Sequence, residues 1–186
     1  TTDPISEIEL ATASLTSFIY YEDGTPVTYI NEDGAEEQIA LKGTENVNRV
    51  LVTFDQVPKD LSNAFVAIED ERFYTHKGVD VKRTLGAIAA YVLPGSGSYG
   101  GSTITQQLVK NNLLTGWTQE KNVFDKIQRK IQEQYLAVNL EKNLTKSLGS
   151  KEAAKSYILE LYLNTIALNH GLNGVKTAAE SYFGKE

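Results

Sequence analysis

The stretch from Ala67 to Asp80, A-I-E-D-E-R-F-Y-T-H-K-G-V-D, constrains this chain more than any other. Three consecutive acids follow an apolar run whose members recur every three or four residues. This spacing predicts a helix from Pro58 to about Tyr74, with proline in its first turn. The first acid, Glu69, falls at the margin of the apolar stripe, where partial desolvation favours proton transfer near neutral pH. The alternative is an acidic, solvated helix end without chemistry.

The bulk properties set limits on what the chain can do. Its 186 residues suffice for one domain with a substantial core, and the absence of cysteine excludes disulfides and thiolate metal sites. Residues 1–60 hold twelve acids and three bases, whereas residues 82–130 hold seven bases and two acids. A basic centre in an acidic chain predicts a specific anionic ligand. Nucleic acid is not supported, because the sequence contains no nucleic-acid-binding motif.

The pattern of apolar and turn residues predicts a mainly α fold with a small N-terminal β segment. Residues 15–41 alternate short aromatic or β-branched runs with aspartate–glycine pairs, and residues 49–54 add a further predicted strand. From residue 58 onward the pattern is helical. Further helices are predicted over residues 81–92, from a Ser102-Thr103 cap to near Gly116, from after Thr118 to about Glu141, over residues 150–163 and over residues 174–183.

A glycine-rich loop over residues 94–101 leads into Ser102 and Thr103. The helix that begins there would present free backbone N–H groups, which favour an anion. Gln107 adds a neutral hydrogen-bonding group, and Lys110 adds a positive charge. The loop lacks the spacing of a phosphate loop, so an ordinary linker explains this stretch about as well.

The helix around Arg129 has two distinct faces. One is predicted to be an apolar stripe made of Phe124, Ile127, Ile131 and Tyr135. Steps of three, four and seven residues bring a carboxylate and three cations together on the other face, namely Lys126, Arg129, Lys130 and Glu133. This second face is either a solvated surface with salt bridges or a carboxylate beside a phosphate-binding cluster.

Two other polar features are interpreted as structural. Glu160 and Asn164 lie four residues apart among apolar neighbours, which predicts a buried, hydrogen-bonded pair. His76 is predicted to join the end of the acidic helix to the turn at Gly78. The two histidines of the chain have no ligand spacing and make a poor metal site.

Five segments, in order, resemble the motifs of the peptidoglycan glycosyltransferase domain, glycosyltransferase family 51, of class A penicillin-binding proteins and monofunctional transglycosylases. They are E-D-E-R-F-Y-T-H-K-G at 69–78, G-G-S-T-I-T-Q-Q-L-V-K-N at 100–111, R-K-I-Q-E at 129–133, Y-I-L-E-L-Y-L-N at 157–164 and H-G-L-N-G-V-K-T-A-A-E-S-Y-F-G-K at 170–185. The resemblance implies a mainly α, lysozyme-like domain over residues 57–186. It also implies a membrane-facing jaw around residues 85–125 and a strand-rich linker segment over residues 1–56.

The resemblance implies that the domain polymerises lipid II into glycan strands. Glu69 would be the general base that takes the proton from the acceptor C4 hydroxyl, with inversion at the donor C1 and release of undecaprenyl pyrophosphate. Glu133 would be the second catalytic carboxylate, either assisting at the leaving pyrophosphate or orienting the cluster around it. The implied substrate- and pyrophosphate-binding residues are Lys110, Arg129, Lys130, Ser102, Thr103, Gln107, Asp70 and His76.

The same resemblance sets expectations for cofactors and partners. No cofactor is expected to be required, while a divalent cation, magnesium or manganese, with Asp70 as its contact is left open. The expected partners are lipid II, the growing glycan strand, the membrane surface, a C-terminal transpeptidase domain and cell-wall synthesis proteins, without nucleic acid. The expected location is the outer face of the cytoplasmic membrane, held by an anchor helix ahead of this fragment. Apolar residues between 85 and 114 suit a bilayer interface and a core helix equally.

Two positions depart from the family pattern. His170 stands where arginine is common, and the stretch Asn143–Ser150 is long, which predicts a loop insertion. Two alternatives to the glycosyltransferase hypothesis follow. A lytic transglycosylase or lysozyme-like hydrolase would have no use for the cationic cluster, and a non-catalytic lipid II-binding domain would not need both acids.

Overall fold

The computed structural model describes residues 50–92, 100–114 and 122–184, together with the backbone of four short strands nearer the N-terminus. Strands β1 (Ser17–Phe18) and β4 (Ala40–Leu41) pair antiparallel, as do β2 (Thr28–Ile30) and β3 (Glu36–Gln38). The α-helices of the described residues are α1 (Lys59–Glu69), α2 (Val81–Val92), α3 (Ile104–Leu113), α4 (Val123–Leu148), α5 (Lys151–Thr165) and α6 (Val175–Phe183).

The mainly α prediction is confirmed. The small N-terminal β segment stays a prediction, because most of residues 1–49 lie outside the described residues. Most of the predicted glycine-rich loop lies outside them too, as does the predicted helix start after Thr118. Among the helices that the structure describes, none combines the length and apolar character needed to cross a bilayer.

The core lies where α3, α4 and α5 pack against one another. Leu108 of α3, Leu140 of α4 and Leu163 of α5 are almost fully buried. Burying one such side chain contributes about 1.5–3 kcal/mol. These three helices therefore form the rigid frame on which the shorter elements are placed.

Helix α1 ends at Glu69, earlier than the predicted end near Tyr74. Asp70 leaves the helical conformation (φ −160°, ψ 70°), and its side chain is completely buried. The predicted apolar stripe is also wrong in part, because Ile68 is 75% exposed and α1 buries Ser62 and Val66 instead. The acidic run is therefore not a uniformly solvated helix end.

The predicted loop insertion over Asn143–Ser150 is wrong. Helix α4 continues past the predicted end at Glu141 to Leu148, and Gly149 ends it in the left-handed region with φ 77°. Leu140 and Leu144 continue its buried side, and no helix-breaking residue occurs before Gly149. The extra length is therefore two further turns of helix.

The predicted apolar stripe of α4 faces away from the core. Its members are 53–74% exposed: Phe124 74%, Ile127 53%, Ile131 63% and Tyr135 69%. The residues that α4 buries are Glu133, Ala137, Leu140, Glu141 and Leu144. Periodicity identified the stripe but could not show whether the rest of the domain would cover it.

The predicted strand over residues 49–54 is wrong for the residues that the structure describes. Three of their backbone N–H groups donate to side chains of α5 and α6 rather than to a neighbouring strand. The N–H of Val52 donates to Oδ1 of Asn164 at 2.9 Å, and the N–H of Phe54 donates to Oε2 of Glu160 at 2.8 Å. Glu160 and Asn164 are structural, as predicted, but they bind this segment instead of each other.

Candidate active site

Glu69, the last residue of α1, faces an open cavity of about 500 Å³. Its half-buried carboxylate accepts a hydrogen bond at Oε2 from Nε2 of Gln107, at 2.8 Å. Gln107, Lys110, Tyr162 and Asn173 also line the cavity. The carboxylate thus has a single neutral side-chain partner in the described structure and remains accessible to a ligand on its other side.

A fully buried carboxylate joins the end of α1 to the start of α3. Asp70 accepts hydrogen bonds from Nε2 of His76 at 2.8 and 3.0 Å, and Oδ2 also accepts from the backbone N–H of Ile104 at 3.0 Å. Because a carboxylate only accepts, the proton on His76 sits on Nε2. This junction fixes the start of α3 and so brings Gln107, one turn later, to Glu69.

The N-terminus of α3 is capped by Thr103, which is completely buried. Its hydroxyl accepts from the N–H of Gln106 at 3.1 Å and donates to the carbonyl oxygen of Gly78 at 2.6 Å. Gly78 has φ +87°, and a Cβ there would lie 2.5 Å from the carbonyl oxygen of Ala137 in α4. Only glycine therefore allows this loop to lie between α3 and α4.

Glu133 lies on the inner side of α4, with its side chain 1% exposed, and is neutralised by two cations. Arg129 donates to Oε1, and Nζ of Lys130 donates to Oε2 at 2.8 Å. The same Nζ also donates to the hydroxyl of Ser102, just ahead of α3. Since a buried carboxylate needs such partners, the cluster holds two positive charges at defined positions.

Lys110 of α3 connects the two carboxylate sites. It lines the cavity with Glu69, and it is half-buried. Burial lowers the pKa of Lys110, Glu133 raises it, and Arg129 and Lys130 lower it. The half-buried Lys110 therefore places a cation in the wall of the cavity beside Glu69, and this cation interacts electrostatically with the cluster around Glu133.

The structure brings most of the predicted site residues together. Glu69, Gln107 and Lys110 surround the cavity, and Ser102, Arg129, Lys130 and Glu133 form the cationic cluster. Three predicted substrate-contacting residues are instead buried behind this surface. The burial of Asp70, His76 and Thr103 does not fit direct contact with a ligand. For His76, the alternative prediction of a structural hydrogen-bonding residue agrees with the geometry.

Asp70 does not fit the predicted contact with a divalent cation. Its oxygens already accept hydrogen bonds from His76 and Ile104, and its side chain is 0% exposed. Residues 50–92, 100–114 and 122–184 contain no group of three or more histidine or acidic side chains arranged so that they could hold a metal ion.

Sequence reasoning missed Tyr162 as a member of the site. Its hydroxyl donates to Oε1 of Gln107 at 3.2 Å, and its side chain is almost fully buried in α5. The available signal was chemical: a buried tyrosine hydroxyl requires a partner.

Sequence reasoning also missed a buried ion pair beneath α3. Nζ of Lys155 lies 2.6 Å from Oε1 of Glu141, which also accepts from the hydroxyl of Thr105 at 2.7 Å. Lys155 lies over the ring of Phe73, 4.3 Å from its centroid. The pair ties α3, α4 and α5 together behind the site, and nothing in the spacing of the three residues indicates it.

This helical frame and its two carboxylates belong to a known class of protein. The sequence profile of the transglycosylase family matches residues 36–186, and the chain belongs to that family. Membership confirms the resemblance drawn from the five motifs and the predicted enzyme class, a peptidoglycan glycosyltransferase domain.

The individual relatives are penicillin-binding proteins 1A. That of Clostridium acetobutylicum is 45% identical over 144 residues, which are 75% of this chain and 16% of that protein. That of Clostridium novyi is 46% identical over 139 residues, 73% of this chain and 15% of that protein. That of Streptococcus oralis is 36% identical over 179 residues, 91% of this chain and 26% of that protein. The chain thus spans a quarter or less of the length of most of these relatives.

Proposed function

We propose that this domain polymerises lipid II by inverting transfer to the acceptor C4 hydroxyl, with release of undecaprenyl pyrophosphate. The observation that carries the proposal is the presence of two carboxylates with unlike surroundings, both linked to Lys110: this lysine lines the cavity beside Glu69 and interacts electrostatically with Glu133. Glu69 is open to a ligand and has a neutral partner, whereas Glu133 is buried and neutralised by Arg129 and Lys130.

Glu69 serves as the general base on the acceptor side. It takes the proton from the C4 hydroxyl of the acceptor sugar, and the resulting oxygen attacks C1 of the donor. The cavity of about 500 Å³ beside Glu69 provides room for a sugar ring, and Asn173 adds an amide to its wall. A positioned general base contributes on the order of 10²–10⁴ in rate.

The cationic cluster serves the donor side. As the C1–oxygen bond breaks, negative charge develops on the leaving diphosphate, and Lys110, Arg129 and Lys130 stabilise it. Glu133 acts as the second carboxylate by holding two of these cations in place. A glycan-cleaving enzyme produces no anionic leaving group of this kind, so the cluster favours the transferase over the lytic alternative.

Incubation of the chain with lipid II in detergent tests this proposal, with preformed glycan supplied in a parallel reaction. Accumulation of glycan polymer is the expected result. Shortening of the preformed glycan without polymer from lipid II would instead support a lytic enzyme. Binding of lipid II without either product would support a non-catalytic binding domain.

We further propose that the exposed apolar stripe of α4 lies against a bilayer. Phe124, Ile127, Ile131 and Tyr135 are all more than half exposed on one helix, whose other side carries Glu133 of the cationic cluster. Helix faces of this kind bury apolar side chains in the headgroup region. Ile131→Ser should weaken sedimentation with phosphatidylcholine–phosphatidylglycerol vesicles, and Ile68→Ser, at a similarly exposed isoleucine on α1, is the matched control. Equal loss in both variants would contradict this orientation.

The wider context of the domain is also a proposal. Residues 1–56 would link it to a membrane anchor, and a transpeptidase domain would follow it in the whole protein. The site would then work at the outer face of the cytoplasmic membrane, in a lysozyme-like fold whose jaw includes the residues around 85–125. The penicillin-binding proteins 1A among its relatives, much longer than this chain, support this arrangement.

A further inference from the structure

A chain of two hydrogen bonds runs from the core to Glu69. The hydroxyl of Tyr162 donates to Oε1 of Gln107 at 3.2 Å, and Nε2 of Gln107 donates to Oε2 of Glu69 at 2.8 Å. Tyr162 is 1% exposed, and its ring contacts Phe65 of α1 edge-on with 6.1 Å between centroids. Glu69, at one end of this pair of hydrogen bonds, is half-buried, whereas Tyr162, at the other end, is packed in the core.

The orientation of the Gln107 carboxamide decides what Glu69 experiences. The two ends of a carboxamide are alike in shape but opposite in hydrogen bonding, because the NH₂ group donates and the oxygen accepts. With Nε2 toward Glu69, the amide donates to the carboxylate. In the reverse orientation, a carbonyl oxygen would face the carboxylate and repel it.

The buried hydroxyl of Tyr162 favours the first orientation, in which it donates to Oε1 and leaves Nε2 of Gln107 directed at Glu69. In the reverse orientation the hydroxyl could only accept from the NH₂ group, and its buried proton would lose the acceptor that it has among the described residues. Burial in the core, followed by the negative charge of Glu69, raises the pKa of Tyr162. The hydroxyl therefore keeps its proton, and its capacity to donate, throughout the pH range in which the domain would work.

We propose that Tyr162 is a positioning residue of the transfer reaction, which acts through Gln107 to hold Glu69 in the orientation of a general base. The inference rests on the proposed function. Tyr162 itself touches neither the acceptor nor the donor in this scheme. Its contribution is to keep the donor end of the amide on Oε2 of Glu69.

Tyr162→Phe removes the hydroxyl and keeps the buried ring. Gln107 then loses its fixed orientation, so Glu69 is held less well. We expect kcat for lipid II polymerisation to fall about 3–10-fold near neutral pH, with KM within about twofold. A merely structural tyrosine would not lower kcat at a retained KM in a variant that keeps the parent melting temperature.

Tyr182→Phe is the matched control, because it also removes one hydroxyl-to-carbonyl hydrogen bond, of 2.9 Å to Asn169, on the partly exposed side of α6. It should leave kcat and KM at the parent values. A Tyr162→Phe variant that keeps the parent kcat while the parent polymerises lipid II would overturn the inference alone. A parent that makes no polymer would overturn the proposed function.

A double-mutant cycle tests whether Tyr162 acts through Gln107. Gln107→Leu, at a half-buried position, should lower kcat with KM retained in the same way and supplies that test independently if Tyr162→Phe does not fold. In the Gln107→Leu background, Tyr162→Phe should add little further loss, because the bridge is already absent. Additive losses, or an unchanged kcat in Gln107→Leu, would overturn the inference.

Discussion

The two predicted catalytic carboxylates, Glu69 and Glu133, differ in their burial and in the charge of their hydrogen-bond partners. Glu69 is half-buried, opens onto a cavity and accepts one hydrogen bond from a neutral amide. Glu133 is almost completely buried and has a cation at each oxygen. Glu69 can therefore still accept a proton from a ligand. Both carboxylate oxygens of Glu133, in contrast, already accept hydrogen bonds from cationic side chains.

This difference separates two roles that residue type alone does not separate. A general base must be reached by the proton it removes, which only Glu69 permits. A carboxylate that holds cations against a leaving group must be bonded to those cations, as Glu133 is through its two charge-assisted hydrogen bonds. The division of labour thus follows from burial and from the charge of the neighbours.

The largest expected effect is on Glu69. Glu69→Gln removes the base but keeps the shape of the side chain, so we expect polymerisation to fall by about 10²–10⁴ with the fold intact. Polymer formation from lipid II measures the loss, and melting temperature checks the fold. Glu71→Gln, two residues further on and exposed, is the control. Near-normal turnover of Glu69→Gln would sink the assignment of the base.

The cationic side can be tested with two lysines of α4. Lys130→Gln removes a charge that contacts both Glu133 and Ser102, and we expect turnover to fall about 10²-fold. Lys126→Gln removes an exposed charge one turn earlier and should change turnover less than threefold or so. Losses of equal size would mean that only the general charge of α4 matters.

Stability should separate the two carboxylates in the opposite order. Glu133→Gln replaces a buried charge that has two cationic partners, so the free energy of unfolding should fall by about 1–3 kcal/mol. Glu69→Gln should change it by less than about 0.5 kcal/mol, since Glu69 is half-buried with one neutral partner. Denaturant unfolding of both variants measures this, and a reversed order would break the comparison.

The smallest expected effect is a displacement of the alkaline limb of the pH profile. Burial lowers the pKa of Lys110 from the usual 10.5, so the ammonium group loses its proton at a lower pH than an exposed lysine does. Turnover should decline as that proton is lost. Lys110→Arg keeps its charge and should carry the alkaline limb to higher pH, whereas Lys126→Arg should leave it unmoved. Identical limbs in both variants would exclude Lys110 as the group responsible.

Much of the helical framework follows from local sequence signals. The predicted helix over residues 81–92 has the observed bounds, and Thr103 caps α3 as its position predicted. Caps and helix-breaking residues act within one or two turns, so a single sequence contains the information. The end of α1 differs because Asp70 binds Ile104, a residue distant in sequence.

The sequence motifs predicted which residues belong to the candidate site, but not how each of them is placed. Glu69, Lys110 and Glu133 were identified from the motifs. In the structure, Lys110 lines the cavity beside Glu69 and interacts electrostatically with Glu133. The motifs could not distinguish residues that face the cavity from those that support it, such as Asp70 and Thr103. Tyr162 was missed because its role depends on a contact between α3 and α5.

The amino-acid sequence by itself determined the helical class, the family and the residue types available for the chemistry. Only the tertiary structure decided which side of α4 faces inward, because periodicity defines a stripe but not its neighbours. It likewise decided that Glu69 is accessible while Glu133 is neutralised. Burial and electrostatic partners are properties of elements packed together, and here those elements lie far apart along the chain.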